Sequence, residues 1–239
     1  MAEIRIGCSG YYYPAWKGTF YPSVLQPNEW LSFYSTQFNA VELNGTFYRQ
    51  PRLADLIRSR TATAPNFQFS VKMSRYLTHI LRMHQAKEKV LEFQDLIRSG
   101  LHEKLTHFLF QFPASFRYSE DRLDDLLNAL PHHPENVIEF RHQSWWNTNV
   151  FEAFKNAELT FCNMDYPGLE VSFQQTNNEF YLRLHGNPIL FRSPYSSEKL
   201  QYFASKLPAV CKKYHLFFNN TDNQMAFDNA REMMELTGM

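Results

Sequence analysis

The 239-residue chain predicts a (β/α)8 TIM-type barrel. Three observations carry that expectation. Eight short β-type runs recur along the whole length, helical segments separate most of them, and the length is close to the ~250 residues typical of such a barrel. Strands alternating with helices imply a parallel sheet. Two small domains would fit the length equally well, but no stretch resembles a Gly/Ser-rich or Pro-rich linker, so one domain over residues 1–239 is expected.

The strand-like runs are "IRIGCS" (4–9), "AVELNG" (40–45), "FQFSVKM" (67–73), "HFLFQF" (107–112), "NVIEF" (136–140), "LTFCNM" (159–164), "FYLRLH" (180–185) and "HLFFNN" (215–220). Between the third and fourth, Val90, Phe93 and Ile97 share one helical face, and Gly100 marks the stop. Ser119 is a good N-cap, followed by Glu120 and Asp121 in the first turn, where the helix dipole favours acidic groups. That helix buries Leu123, Leu126, Leu127 and Leu130 and ends at Pro131. Another runs from about Ser197 through Leu200, Phe203 and Leu207 to Pro208. These single-faced helices suit an outer layer. Between the sixth and seventh runs "DYPGLEVSFQQTNN" has no helical stripe, and "LEVSF" alternates like a further strand, so a hairpin or irregular crossover replaces one helix.

Alternate residues of a barrel strand point to the axis and to the helices. Val41 and Leu43 share one face and Glu42 and Asn44 the other; Phe67, Phe69, Val71 and Met73 oppose Gln68, Ser70 and Lys72. Phe108, Phe110 and Phe112 oppose Leu109 and Gln111, Ile138 and Phe140 oppose Glu139 and Arg141, and Leu182 and Leu184 oppose Tyr181, Arg183 and His185. The apolar faces belong under the helices. Glu42, Lys72, Glu139, Arg141, Arg183 and His185 therefore project into a barrel interior that is ordinarily aliphatic. A purely structural ion network accounts for the deeper Glu42 and Glu139 as well as a functional role does, since buried ions must be paired. Lys72, Arg141 and His185, nearer the C-terminal strand ends, fit function better.

Several uncommon words then follow in one order: "IGCSGYYYPAWKGTFYP", "VELNGTFYRQP", "FSVKMSRYLTHI", "FLFQFPASF", "IEFRHQSWW", "YLRLHG" and "FFNNT". From about Ile4 to Ala230 the chain resembles the YecE-like family, domain of unknown function 72. The resemblance implies a TIM-type barrel akin to sugar isomerases and apurinic endonucleases, and no established reaction. It implies that the characteristic polar residues are Glu42, Asn44, Thr46, Tyr48, Lys72, Gln111, Glu139, Arg141, His142, Trp145, Arg183, His185, Gly186, Asn219 and Asn220. After its "FNNT" word the family often has a Gly-Ala-Ala-Pro-like stretch, where this chain reads "DNQMAFDNA".

Lys72, Arg141 and Arg183 facing one axis form an anion pocket, since arginine forks match phosphate or carboxylate. His185 is placed to act as acid or base, with Glu42 and Glu139 as charge partners or base, and Lys72 as a further catalytic group. Asn44, Tyr48, Gln111, His142, Trp145, Asn219 and Asn220 complete a substrate-binding set at the C-terminal mouth. The favoured function is a hydrolase-like or isomerase-like enzyme acting on a small anionic or phosphorylated ligand. No cofactor is expected. A divalent metal near His142, Asp165 and His185 is the lesser alternative, because no dense His/Asp cluster or H-E-x-x-H motif is present. A glycosidase pair at Glu42 and Glu139 depends on a separation that sequence does not supply.

The competing class is a nucleic-acid-binding or nucleic-acid-processing protein. Tyr11, Tyr12, Tyr13, Phe47, Tyr48, Trp145 and Trp146 follow strands at one rim, as a stacking platform or as loop packing, with Arg49, Arg75 and Arg82 for phosphates. A ligand-binding barrel without turnover is a third class. Lys+Arg and Asp+Glu are both 24, so no global basic footprint supports the nucleic-acid reading. Cys8, Cys162 and Cys211 are odd in number and lack metal spacing, which suggests reduced core thiols. The N-terminus shows no signal-peptide pattern and no run approaches the ~20 apolar residues of a membrane span, so a cytoplasmic protein without membrane contact is expected. The sequence does not fix an oligomeric state.

Overall fold

In the computed structural model, which describes residues 2–222 and 224–238, eight parallel strands form one sheet in the order β1-β8-β7-β6-β5-β4-β3-β2. The strands are β1 (Glu3–Cys8), β2 (Ala40–Leu43), β3 (Gln68–Lys72), β4 (Leu105–Phe112), β5 (Asn136–Phe140), β6 (Thr160–Asp165), β7 (Glu179–Leu184) and β8 (Lys213–Phe218). The helices are α1 (Trp30–Gln37), the single turn α2 (Gly45–Tyr48), α3 (Leu53–Thr61), α4 (Lys87–Leu101), α5 (Glu120–Ala129), α6 (Thr148–Asn156), α7 (Ser197–Ser205) and α8 (Met225–Leu236). This is a TIM-type barrel. Asn223, within the divergent stretch after the last strand, lies outside the described residues.

Local chemistry sets these elements. The Ser119 hydroxyl accepts from Arg122 N at 3.4 Å and caps α5, and Asn147 caps α6 through Val150 N at 3.1 Å. The β6–β7 connection has no helix, as its lack of periodicity implied. "LEVSF" is nevertheless not a strand. Its neighbour Gln174 bonds the Asn163 side chain through both backbone groups, at 2.7 and 2.9 Å, and the segment joins no ladder.

The seam between β1 and β2 is closed by side chains instead of a backbone ladder. Asn39 Oδ1 accepts from Ile6 N at 2.8 Å, and Asn39 Nδ2 donates to Ile4 O at 2.9 Å. The Tyr34 hydroxyl accepts from Cys8 N at 2.6 Å and donates to Ala40 O at 3.2 Å. The backbones approach so closely that a Cβ on Gly7 would lie 1.9 Å from Ala40 O. Tyr34→Phe strands two buried backbone groups and is expected to cost about 1–3 kcal/mol, measured by urea denaturation. An unchanged midpoint would show that the seam does not depend on this hydroxyl.

The strand parity holds. Phe108, Phe110, Ile138, Leu182 and Leu216 lie in the main core with helix residues such as Val90, Leu126 and Leu200. Ala40, Leu109, Val137, Cys162, Tyr181 and Phe217 form a separate apolar cluster on the axis. Charged side chains lie above and below that tier. Among the described residues no helix is long and apolar enough to cross a membrane.

Candidate functional site

Above the apolar tier, Arg183 on β7 meets two carboxylates from other strands. Its Nε donates to Glu42 Oε2 at 3.0 Å, Nη2 donates to Glu42 Oε1 at 2.5 Å, and Nη1 pairs with Glu139 Oε2. All three side chains are at most 1% exposed. Ser9 Oγ and the Tyr181 hydroxyl each donate to Glu42 at 2.8 Å. Burial by itself would raise the Glu139 pKa, but Arg183, Arg141 and His185 hold it well below the ordinary carboxylate range. Burial likewise opposes the charge on Arg183, and Glu139 and Glu42 outweigh it. Arg183 is therefore a bracket between two carboxylates and not part of an open anion clamp. Glu42 and Glu139 are the charge partners in that bracket.

The spacing of Glu139 and Arg141 has a direct explanation. Both face the axis at the end of β5, and Arg141 Nε donates to Glu139 Oε1 at 2.8 Å. Among the described residues this is the one hydrogen bond from Arg141 to protein, so its terminal nitrogens remain for a ligand. The guanidinium lies 5.0 Å from the Tyr166 ring centre, and the side chain is 15% exposed. Lys72, at the end of β3, lies 4.2 Å over the Phe47 ring and shows no hydrogen bond from Nζ among the described residues. Burial, then the nearby Arg183 charge, lowers its pKa to about 7.

His185 is sealed and neutral. Asn219 Nδ2 lies 2.8 Å from its Nδ1, while Nε2 is 3.5 Å from Glu139 Oε2, which fits a proton on Nε2. Burial lowers its pKa to about 3, with Glu139 opposing and Arg183 assisting. An imidazole with both nitrogens engaged and no exposure is a poor proton shuttle. Gln111 is buried and donates to Phe112 O at 2.9 Å, whereas Asn44 is partly exposed and its Oδ1 has no partner among the described residues. His142 caps the following turn, accepting from Ser144 N at 3.1 Å.

Three sequence-based site residues lie elsewhere. Trp145 is fully buried, stacked 4.1 Å from Phe140, with Nε1 donating to Phe116 O at 2.7 Å. Asn220 is buried against Ser193 and Asn229. Tyr48 is 82% exposed and lines a separate pocket with Thr46, Phe47 and Arg75. His142, Asp165 and His185 do not form a group able to share a metal; Asp165 instead accepts from Tyr195 and Asn187.

Sequence reasoning missed His79, carried by a π-helical turn (Tyr76–Leu81). Burial first, then Lys72, Arg75, Arg141 and Arg82, lowers its pKa to about 4, so four cations act on one ring at the mouth. A cleft of about 480 Å³ lies beside the mouth, lined by Tyr11, Tyr12, Asn44, Arg49 and Arg52 among others, but it does not reach Lys72, Arg141 or His185. The arrangement thus offers the terminal nitrogens of Arg141 and the Nζ of Lys72 with unused donors, over the buried network of Arg183 with Glu42 and Glu139.

Comparison with known proteins gives a consistent picture. The profile of a family described as "Protein of unknown function DUF72" matches residues 5–239. The chain is 25% identical over 254 residues to UPF0759 protein YunF of Bacillus subtilis, spanning 91% of this chain and 90% of that protein. It is 28% identical over 130 residues to UPF0759 protein YecE of Escherichia coli, 54% of this chain and 47% of that one. The crystal structure of a DUF72 family protein from Thermotoga maritima superposes with a TM-score of 0.90 at 29% identity, over 99% of this chain and 100% of that one. One from Enterococcus faecalis superposes with a TM-score of 0.84 at 18% identity, over 99% and 96%, and shares the fold.

Proposed function

The chain belongs to the family of proteins of unknown function DUF72, and from that premise we propose that it is an enzyme that binds a small phosphate-bearing anion at the C-terminal mouth and does acid/base chemistry there. Arg141 holds the anion and Lys72 exchanges the proton. The observation that carries this reading is the unused terminal nitrogens of Arg141 and the unused Nζ of Lys72, beside the buried network of Arg183 with Glu42 and Glu139. A planar guanidinium with free terminal nitrogens suits a phosphate. An amine with a pKa near 7 is matched to proton transfer at neutral pH, a role the sealed His185 does not fill. The chemistry is of a hydrolytic or isomerising kind and is carried by these side chains.

Thermal unfolding against phosphosugars, nucleotides and short single-stranded oligonucleotides tests this reading. A true ligand at a hundredfold its dissociation constant raises Tm by roughly 5–10 °C in a chain of this size. Failure of every small phosphorylated compound would overturn it. A second reading, nucleic-acid binding, is favoured by one observation: Tyr12, Tyr48 and Tyr76 are at least half exposed near Arg49 and Arg75. Stabilisation by oligonucleotides alone, lost at high salt, would select it.

Proton linkage gives a further test. An anion beside Lys72 raises its pKa from about 7 toward the ordinary lysine value. At pH 8 the free protein carries mostly neutral amine and the complex mostly ammonium, so binding takes up close to one proton. Calorimetry in buffers of different ionisation enthalpy is expected to show this uptake for wild type and not for Lys72→Met. Equal uptake by both would remove Lys72 from the proton transfer.

A further inference from the structure

Below the apolar tier, at the N-terminal end of the barrel, His107 on β4, Glu179 on β7 and His215 on β8 converge. β4 lies across the barrel from β8, yet the two imidazole centres are 4.1 Å apart. Both histidines are 1% exposed. Neither nitrogen of His215 has a hydrogen-bond partner among the described residues, and His107 Nδ1 has none either. Buried polar atoms are nearly always paired, so the unpaired His215 Nε2, facing Glu179 Oε2 at 3.5 Å, requires an explanation.

We propose that His107, Glu179 and His215 bind a zinc-class divalent cation that closes the floor of the barrel. One ligand atom from each side chain lies within 4.8 Å of the others. A tetrahedral zinc with bonds of ~2.0–2.1 Å needs ligand atoms about 3.4 Å apart. His215 Nε2 is already 3.5 Å from Glu179 Oε2; His107 Nε2, at 2.7 Å from the same oxygen, has to open slightly. Two imidazoles and one carboxylate select zinc, cobalt or nickel over magnesium or calcium, which prefer all-oxygen shells.

Glu179 Oε1 accepts from Lys213 Nζ at 3.0 Å, which orients the carboxylate and leaves Oε2 for the ion. Glu179 and Lys213 also line a surface pocket of about 360 Å³, an entry route and a source of water for the fourth position. Leu109, Val137, Cys162, Tyr181 and Phe217 separate this site from the mouth. The ion's role is structural, since it ties β4 across the lumen to β7 and β8 at the end of the barrel associated with stability.

Cobalt titration of untagged, chelator-treated protein tests the proposal. Wild type is expected to develop the intense visible absorption of four-coordinate cobalt, saturating at one equivalent and displaced by zinc, and zinc at a hundredfold its dissociation constant is expected to raise Tm by about 5–10 °C. His215→Ala should lose the absorption and Glu179→Gln should weaken binding more than tenfold, with circular dichroism confirming that each is folded. Lys213→Met, at a half-exposed position, removes the donor that orients Glu179 and is expected to weaken binding without abolishing it, whereas His215→Ala abolishes it. Absence of saturable one-equivalent uptake by wild type overturns the proposal whatever the variants do. Unchanged uptake by His215→Ala also overturns it.

Discussion

Replacing Arg183 with methionine is expected to destabilise the protein by about 3–5 kcal/mol. The guanidinium is 1% exposed and answers both Glu42 and Glu139, so its removal leaves two carboxylates in the barrel with Ser9, Tyr181 and Arg141 as their remaining donors. The sign of the pH dependence separates this effect from a packing defect. In wild type Glu139 has a depressed pKa, so its contribution is present above the ordinary carboxylate pKa and is lost as pH falls. In the variant, burial without Arg183 pushes the Glu139 carboxylate up, so its protonation stabilises the fold. The deficit of Arg183→Met should therefore narrow between pH 7 and pH 5, as measured by denaturant unfolding. A deficit below about 1 kcal/mol, the range of an exposed pair, would mean that the network is solvated.

Arg141→Ala has a different expected signature. Binding of the phosphorylated ligand should fall at least about a hundredfold, because a charge-assisted, bidentate contact is lost. Stability should change far less than in Arg183→Met, since Glu139 keeps its bond to Arg183 and Arg141 is partly exposed. Arg141→Lys keeps the charge without the fork and should recover only part of the affinity. Calorimetric titration of the three proteins with one phosphorylated compound reads the difference. Equal affinities would remove Arg141 from the site.

Much of the fold was legible because its signals are local. Strand parity placed Glu42, Lys72, Glu139, Arg141 and Arg183 on the axis, and the Ser119 cap of α5 with the apolar stripes of α4, α5 and α7 marked the outer layer. Pairing was not legible. Which carboxylate meets Arg183 depends on how β2, β5 and β7 face one another across the lumen, and no single strand encodes that. Trp145 illustrates a second limit, because an aromatic after a strand reads equally as rim or core, and here a 3-10 turn (Gln143–Trp145) carries the indole inward. "LEVSF" has strand alternation without a strand, and the backbone groups of the adjoining Gln174 go to the Asn163 side chain instead of to a ladder. His107, Glu179 and His215 carried a signal that was available: each shares the inward parity of its own strand, with Leu109, Tyr181 and Phe217. They sit at strand starts, far from the ends where barrel enzymes place their chemistry, and for that reason drew no attention.

The most direct test of the anion-binding mouth is a crystal structure of the protein soaked in tungstate, a strongly scattering phosphate analogue. The expected result is an anomalous peak within hydrogen-bond distance of the Arg141 terminal nitrogens and beside Lys72, absent from Arg141→Ala crystals. Tungstate bound only elsewhere on the barrel, or equally well in both proteins, would contradict it.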